Sequence, residues 1–196
     1  MENLLDNIRA LENVSAALEP SLDERNDYAN ELQEFTNGFI ETVESKKAYI
    51  VGDADTQKLS IHPEKKTLTQ LLEIYNDEVV GKGLSAASGG HIGYIPGGGI
   101  YTAALGDTLA SITNEYAGMY YGSPGAVTIE NELLNWMKGV FGFTMDTIGN
   151  LTSGGSIANL IALTAARDKH QIKNERVTKS VIYLSPQIHH CIHKAI

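Results

Sequence analysis

The sequence has one cysteine, Cys191, no long apolar run and no surplus of basic residues. A single thiol excludes an internal disulfide framework and suits a reducing compartment, so a cytoplasmic protein is expected. No stretch approaches the roughly 18 uninterrupted apolar residues of a membrane helix, and no membrane partner is expected. Fifteen Lys and Arg stand against 24 Asp and Glu, a net charge of −9. Nonspecific nucleic-acid binding needs a basic face and is not expected here. The opening residues MENLLDNIRALENV carry acids where a secretory signal has bases and an apolar core. Familiar site motifs are missing too: there is no G-x-x-x-x-G-K-[ST], no G-x-G-x-x-G, no G-x-S-x-G and no H-E-x-x-H.

What is present is 196 residues of ordinary globular composition, 42% hydrophobic and 20% charged. That is one domain or two small ones, with enough chain to bury a core. Glycine marks the internal divisions. Of 19 glycines, 17 fall between Gly81 and Gly155, which separates a glycine-poor, charged first zone from a periodic third.

In the first zone Leu4, Leu5, Ile8, Leu11 and Leu18 recur at helical spacing. Glu19-Pro20-Ser21 interrupts them, and Ser21, followed by acids at 23 and 24, is a candidate N-cap. Tyr28, Leu32, Phe35, Phe39 and Val43 form the stripe of a second helix. Residues 47–51 read as a short strand and residues 68–80 as a third helix. The first two helices pack either on their own core or on a partner subunit.

The glycine-rich zone opens with GKGLSAASGGHIGYIPGGG, which is loop chemistry. Helices are expected over residues 100–116 and 129–141, the second with Ile129, Leu133, Trp136, Met137 and Val140 on one face and Trp136 in the core. Residues 149–152 read as a strand that runs into Ser153-Gly154-Gly155-Ser156 and a helix over 157–172. The apolar run Val181-Ile182-Tyr183-Leu184 reads as a buried parallel strand. Strand, loop, helix and strand together imply a βαβ unit in a doubly wound α/β layer.

Two clusters carry chemistry. A strand that ends in a Ser/Gly loop opening a helix gathers free backbone N–H groups and the positive end of the helix dipole, an anion site. Ser156 can cap that helix or give its hydroxyl to a phosphate; the alternative is a plain βα turn. The second cluster is Gln187-Ile188-His189-His190-Cys191-Ile192-His193, just past the apolar run, at the sheet edge where α/β proteins bind ligands. His189 and His193 share a helix face, but two ligands make a weak zinc site, and no metal is expected.

Four blocks in this order resemble the group II pyridoxal-phosphate-dependent decarboxylases, which include the aromatic amino-acid, histidine and glutamate decarboxylases. They are Tyr94-Ile95-Pro96; Ser123-Pro124 with Glu130; Thr152-Ser153-Gly154-Gly155-Ser156 with Ala158-Asn159 and Ala165-Ala166-Arg167; and Gln187-Ile188-His189. The resemblance covers residues 91–196. It implies pyridoxal 5'-phosphate as cofactor, its phosphate held by Gly155 and Ser156 and its ring stacked by His189, the catalytic candidate. It implies that Tyr94, Pro96 and Tyr116 line the pocket of an amino-acid substrate, Tyr116 near a subunit border of a homodimer. The implied fold is a helical segment with the substrate-side loop, 1–100, followed by the first part of a fold type I, aminotransferase-like large domain, 101–196.

Three features depart from the family pattern. Ile157 stands where an acidic residue usually follows the GGS, Gly97 to Gly99 are plainer than the aromatic decarboxylase loop, and Val127-Thr128 replaces a Thr-Glu pair. All three bear on the substrate more than on the cofactor. The family's Schiff-base lysine and the aspartate that pairs with the pyridinium nitrogen fall past the equivalent of residue 196. Lys169, Lys173, Lys179 and Lys194 do not match the lysine motif. The expectation is therefore the N-terminal portion of an amino-acid decarboxylase, inactive alone. The rivals are a lyase of phosphorylated amino alcohols on the same fold, a noncatalytic dimerisation piece, and an unrelated phosphate-binding α/β protein.

Overall fold

The computed structural model describes residues 2–94 and 97–196. The chain divides into two compact units, Met1–Thr108 and Leu109–Ile196. No helix among the described residues is long and apolar enough to cross a membrane.

The first unit begins with helix α1, Glu2–Ser15, continued by a 3₁₀ turn, Ala16–Leu18. Helix α2, Leu22–Thr42, starts at Ser21, as the sequence predicts. The Ser21 hydroxyl accepts the N–H of Glu24 at 3.2 Å, and the Glu24 carboxylate accepts the N–H of Ser21 at 2.7 Å. This reciprocal pair satisfies two donors that a helix start leaves free. It also holds the Glu24 carboxyl below its ordinary range, first through the Ser21 backbone N–H and then through the Ser21 hydroxyl. Helix α3, Leu68–Tyr75, opens with a second such box, Thr67 with Gln70. Its last turn widens into a π-helical segment, Asn76–Val80. The Phe35 and Tyr75 rings meet edge to face at 6.0 Å, and Thr69 donates to Glu31 at 2.8 Å, which joins α3 to α2.

The π segment presents Glu78, only 7% exposed. Its carboxylate accepts the Asp55 N–H at 2.8 Å and is paired with Lys58 at 3.3 Å and with Lys82. Lys82 also donates to the Asp53 carbonyl at 2.8 Å. One carboxylate thus pins the loop of residues 53–58. Strands β1, Tyr49–Ile50, and β2, Gly83–Leu84, pair antiparallel with Tyr49 opposite Leu84. β1 lies inside the short strand expected over residues 47–51, and β2 lies in the glycine-rich segment read as loop.

The second unit holds the C-terminal part of helix α4, Tyr101–Thr113, then helices α5, Pro124–Phe141, α6, Gly155–Lys169, and α7, His190–Ala195. Pro124 occupies the first turn of α5, where its missing N–H costs nothing. The helix ends as the Phe143 N–H turns back to the Lys138 carbonyl at 2.9 Å. A 3₁₀ segment, Asn174–Lys179, follows α6.

The two strands expected in this unit are not formed. Residues 149–152 and 181–184 have no ladder partners, and β1–β2 is the one sheet among the described residues. A parallel strand needs a neighbour on its hydrogen-bonding edge and cover on its faces. Val181 stays 73% exposed and Tyr183 93%, so the run has neither. The α5 face behaves alike: Trp136, expected in a core, is 65% exposed. Among the described residues Cys191 is the apolar side chain that is buried, at 6% exposure.

Two outcomes are expected from this architecture. Ser21→Ala removes one half of the α2 box and should cost about 1 kcal/mol of helix stability. Thermal melts followed by far-ultraviolet circular dichroism should show it, and an unshifted melt would contradict the capping role. The second outcome concerns acid. The Asp55 N–H, then Lys82 and Lys58, hold Glu78 at about 2, below its ordinary value of 4.5, although desolvation works the other way. A depressed folded-state pKa stabilises fully above 4.5 and loses that stabilisation as pH falls toward 2. The hydrogen-exchange protection factor of the Asp55 amide should hold from pH 7 to about pH 5 and then decline. Glu78→Gln should lower it at pH 7. Protection that persists unchanged to pH 2 would reject the assignment.

Candidate cofactor site

Helix α6 starts from Gly154, whose φ of 156° and ψ of 170° lie in a region open essentially to glycine alone. Any side chain there would force the loop into another path. The Gly154 carbonyl accepts the first helical bond, from the Ala158 N–H at 3.1 Å, and also the Thr152 hydroxyl at 3.2 Å. No side chain caps the helix. The first-turn N–H groups, which include those of Gly155 and Ser156, are therefore free of a capping side chain at the positive end of the helix dipole. Ser156, a possible cap on sequence grounds, is instead the second residue of the helix. Its hydroxyl remains on an exposed turn. A Cβ built at Gly154 or Gly155 would meet nothing within 4 Å, so the loop has open space above it.

His189 is the N-cap of α7. Its Nδ1 accepts the Cys191 N–H at 3.2 Å. The lone pair on Nδ1 is thereby committed, so the neutral ring carries its proton on Nε2. The His190 ring lies beside it, 4.2 Å between centroids and tilted by 36°. Helices α6 and α7 pack together, and the bridge between them is Asn159. Its Nδ2 donates to the Gly155 carbonyl at 2.8 Å and to Cys191 Sγ at 3.7 Å. A continuous series of polar contacts thus runs from Gly155 through Asn159 and Cys191 to His189.

The structure brings Gly155 and His189 into one contact series. Asn159 and Cys191 are the members the sequence reading assigned no role. Asn159 stands four residues past Gly155, on the same face of α6, and that spacing was the available signal. Tyr116, in the same unit, packs on its own turn: a Cβ at Gly122 would come within 2.7 Å of the Tyr116 carbonyl oxygen, and the Tyr116 ring lies as close. Only a glycine admits that turn. Tyr94 belongs to the first unit, at a left-handed φ of 62° and stacked on His91 at 6.4 Å. A tyrosine at positive φ is costly, and such residues cluster at ligand-facing loops. Pro96 lies outside the described residues.

The donor set suits a phosphate monoester on a flat aromatic ring. Backbone N–H groups and the Ser156 hydroxyl match phosphate oxygens, and an imidazole of fixed tautomer matches a ring face. The family model for the pyridoxal-dependent decarboxylase conserved domain matches residues 54–196. An aromatic-L-amino-acid decarboxylase of Bacillus atrophaeus is 35% identical over 105 residues, 54% of this chain and 22% of that protein. A tyrosine/DOPA decarboxylase of Papaver somniferum is 30% identical over 141 residues, 65% of this chain and 27% of the relative. A tyrosine decarboxylase of the same plant is 28% identical over 142 residues, 66% and 28%. The chain spans about a quarter of the length of the curated relatives it matches. The glycine loop, the His189 turn and the match over residues 54–196 agree: the chain belongs to the pyridoxal-dependent decarboxylases, a family whose cofactor is pyridoxal 5'-phosphate.

Proposed function

We propose that this chain supplies the phosphate-binding and ring-facing part of an amino-acid carboxy-lyase. The observation that carries the reading is the contact series from Gly155 to His189 through Asn159 and Cys191. When bound, pyridoxal 5'-phosphate supplies an electron sink for the pair released as the bond from Cα to the carboxylate breaks and carbon dioxide leaves. The chain's own residues do the rest of the local work. The N–H groups of Gly155 and Ser156 and the Ser156 hydroxyl would hold the cofactor's phosphate. His189 would face the ring of the bound cofactor, with its own proton on Nε2, the atom free to exchange a proton near the reacting carbon. Tyr94, Pro96 and Tyr116 are the residues we assign to substrate contact in the whole protein.

The names of the relatives favour an aromatic amino acid as substrate. In this reading the Schiff-base lysine and the pyridinium-pairing carboxylate lie in further sequence, and the present residues alone are inactive. The complete large domain is the doubly wound, aminotransferase-like layer. There the run 181–184 gains strand partners and the Trp136 face gains cover. The whole protein is a cytoplasmic homodimer with Tyr116 near the subunit border.

Two measurements on the whole protein bear on this. Sedimentation of the cofactor-loaded protein should give twice the chain mass; a monomer mass rejects the dimer. His189→Ala should weaken cofactor retention about fivefold, for a stack worth about 1 kcal/mol, and slow turnover by roughly a hundredfold if Nε2 transfers a proton. His193→Ala should change either quantity by less than about twofold, since its side chain leaves α7 one turn further on, and His190→Ala, whose ring lies 4.2 Å from that of His189, should lose less than His189→Ala. Equal, mild effects from all three variants would reject the stacking role. Equal losses for His189→Ala and His193→Ala, with activity abolished by a chelator, would instead indicate a metal.

A further inference from the structure

The Asn159 side chain sits inside α6, where an asparagine is an indifferent helix former because its amide competes with the backbone. Its placement has a specific payoff in hydrogen bonds. The carboxamide nitrogen has two hydrogens and meets two acceptors, the Gly155 carbonyl at 2.8 Å and Cys191 Sγ at 3.7 Å. Turning the amide over would set Oδ1 against the Gly155 oxygen, acceptor against acceptor, so the orientation is determined. Cys191 is 6% exposed and its sulfur is held at this contact. The same residue's N–H donates to His189 Nδ1 at 3.2 Å. Moving Cys191 therefore moves the donor that commits the imidazole.

We propose that Asn159 is a positioning residue of the cofactor site: by donating to both the Gly155 carbonyl and Cys191 Sγ it fixes the orientation and tautomer of His189 relative to the phosphate loop. The proposal rests on the reading that His189 faces the cofactor ring. Its geometry, however, is a property of the chain without cofactor, and it is tested there.

The probe is the 196-residue chain labelled with ¹³C and ¹⁵N at histidine, studied at pH 8 by long-range ¹⁵N–¹H correlation, which separates the two neutral tautomers. His189 should show a protonated Nε2 and an accepting Nδ1. Asn159→Asp keeps the shape but removes both donors. It should convert the His189 signal to a mixture of tautomers while His190 and His193 keep theirs. Cys191→Ala should do the same, and Cys191→Ser, which retains an acceptor, should restore the single tautomer. If Asn159→Asp leaves the His189 pattern as in the parent, the proposal is overturned. If that variant loses its helical circular dichroism, the cysteine pair decides: identical His189 signals in Cys191→Ala and Cys191→Ser overturn it. Failure of the decarboxylase reading would appear separately, as no cofactor retention by the whole protein despite the expected tautomer shifts.

Discussion

Order in this chain is set at the ends of its helices. A helix leaves four N–H and four C=O groups unpaired at its termini, and short helices are marginal in water until those groups find partners. Here the partners are close in sequence: Ser21 with Glu24, Thr67 with Gln70, Lys138 with Phe143, His189 with Cys191. Burial contributes little beside them. Leu133, Trp136 and Val140 on one face of α5 are 41%, 65% and 59% exposed. The elements stand where local hydrogen bonding starts and stops them, and the apolar face of α5 is left exposed.

This explains what the sequence made legible. Ser21 was readable as a cap because its partner is three residues away, and the stripe from Tyr28 to Val43 follows from the same local periodicity. The helix over 157–172 was readable to within a few residues. At the opening of α6 the sequence leaves Ser156 as either a cap or a phosphate donor, and the cap is Gly154, because the chain turns there with a backbone only glycine adopts. Strands are a different kind of inference. Val181 to Leu184 has the composition of a buried strand, but composition names no partner, and pairing is decided by residues far away in sequence. Where no partner edge is present, the run stays exposed.

The site divides along the same line. Gly155, Ser156 and His189 are candidates on sequence grounds because each lies in a short motif whose chemistry is local. Asn159 and Cys191 are not, since they are 32 residues apart and meet only through the packing of α6 on α7. The histidine cluster illustrates the difference. Spacing alone offered His189 and His193 as a pair, whereas the backbone gives His189 a distinct task as the N-cap of α7 and leaves His193 one turn along the helix.

Glu78 in the first unit and Asn159 in the second are built on one physical rule. Each is a single polar side chain that answers two or more partners from different segments: Asp55, Lys58 and Lys82 for the carboxylate, Gly155 and Cys191 for the amide. Such a group adds modest net stability when satisfied, because water would also have satisfied it. Its stronger effect is on competing arrangements, each of which breaks the contacts that tie those segments together. The two cases differ in what they respond to. Glu78 can be released by protonation, so its loop is held only while the carboxylate is charged. Asn159 has no charge to lose, and a thiol is a weak acceptor, so its contact contributes direction more than strength. An uncharged link is the better choice beside the loop proposed to hold a phosphate, where a carboxylate at the same position would oppose the anion that the helix dipole favours.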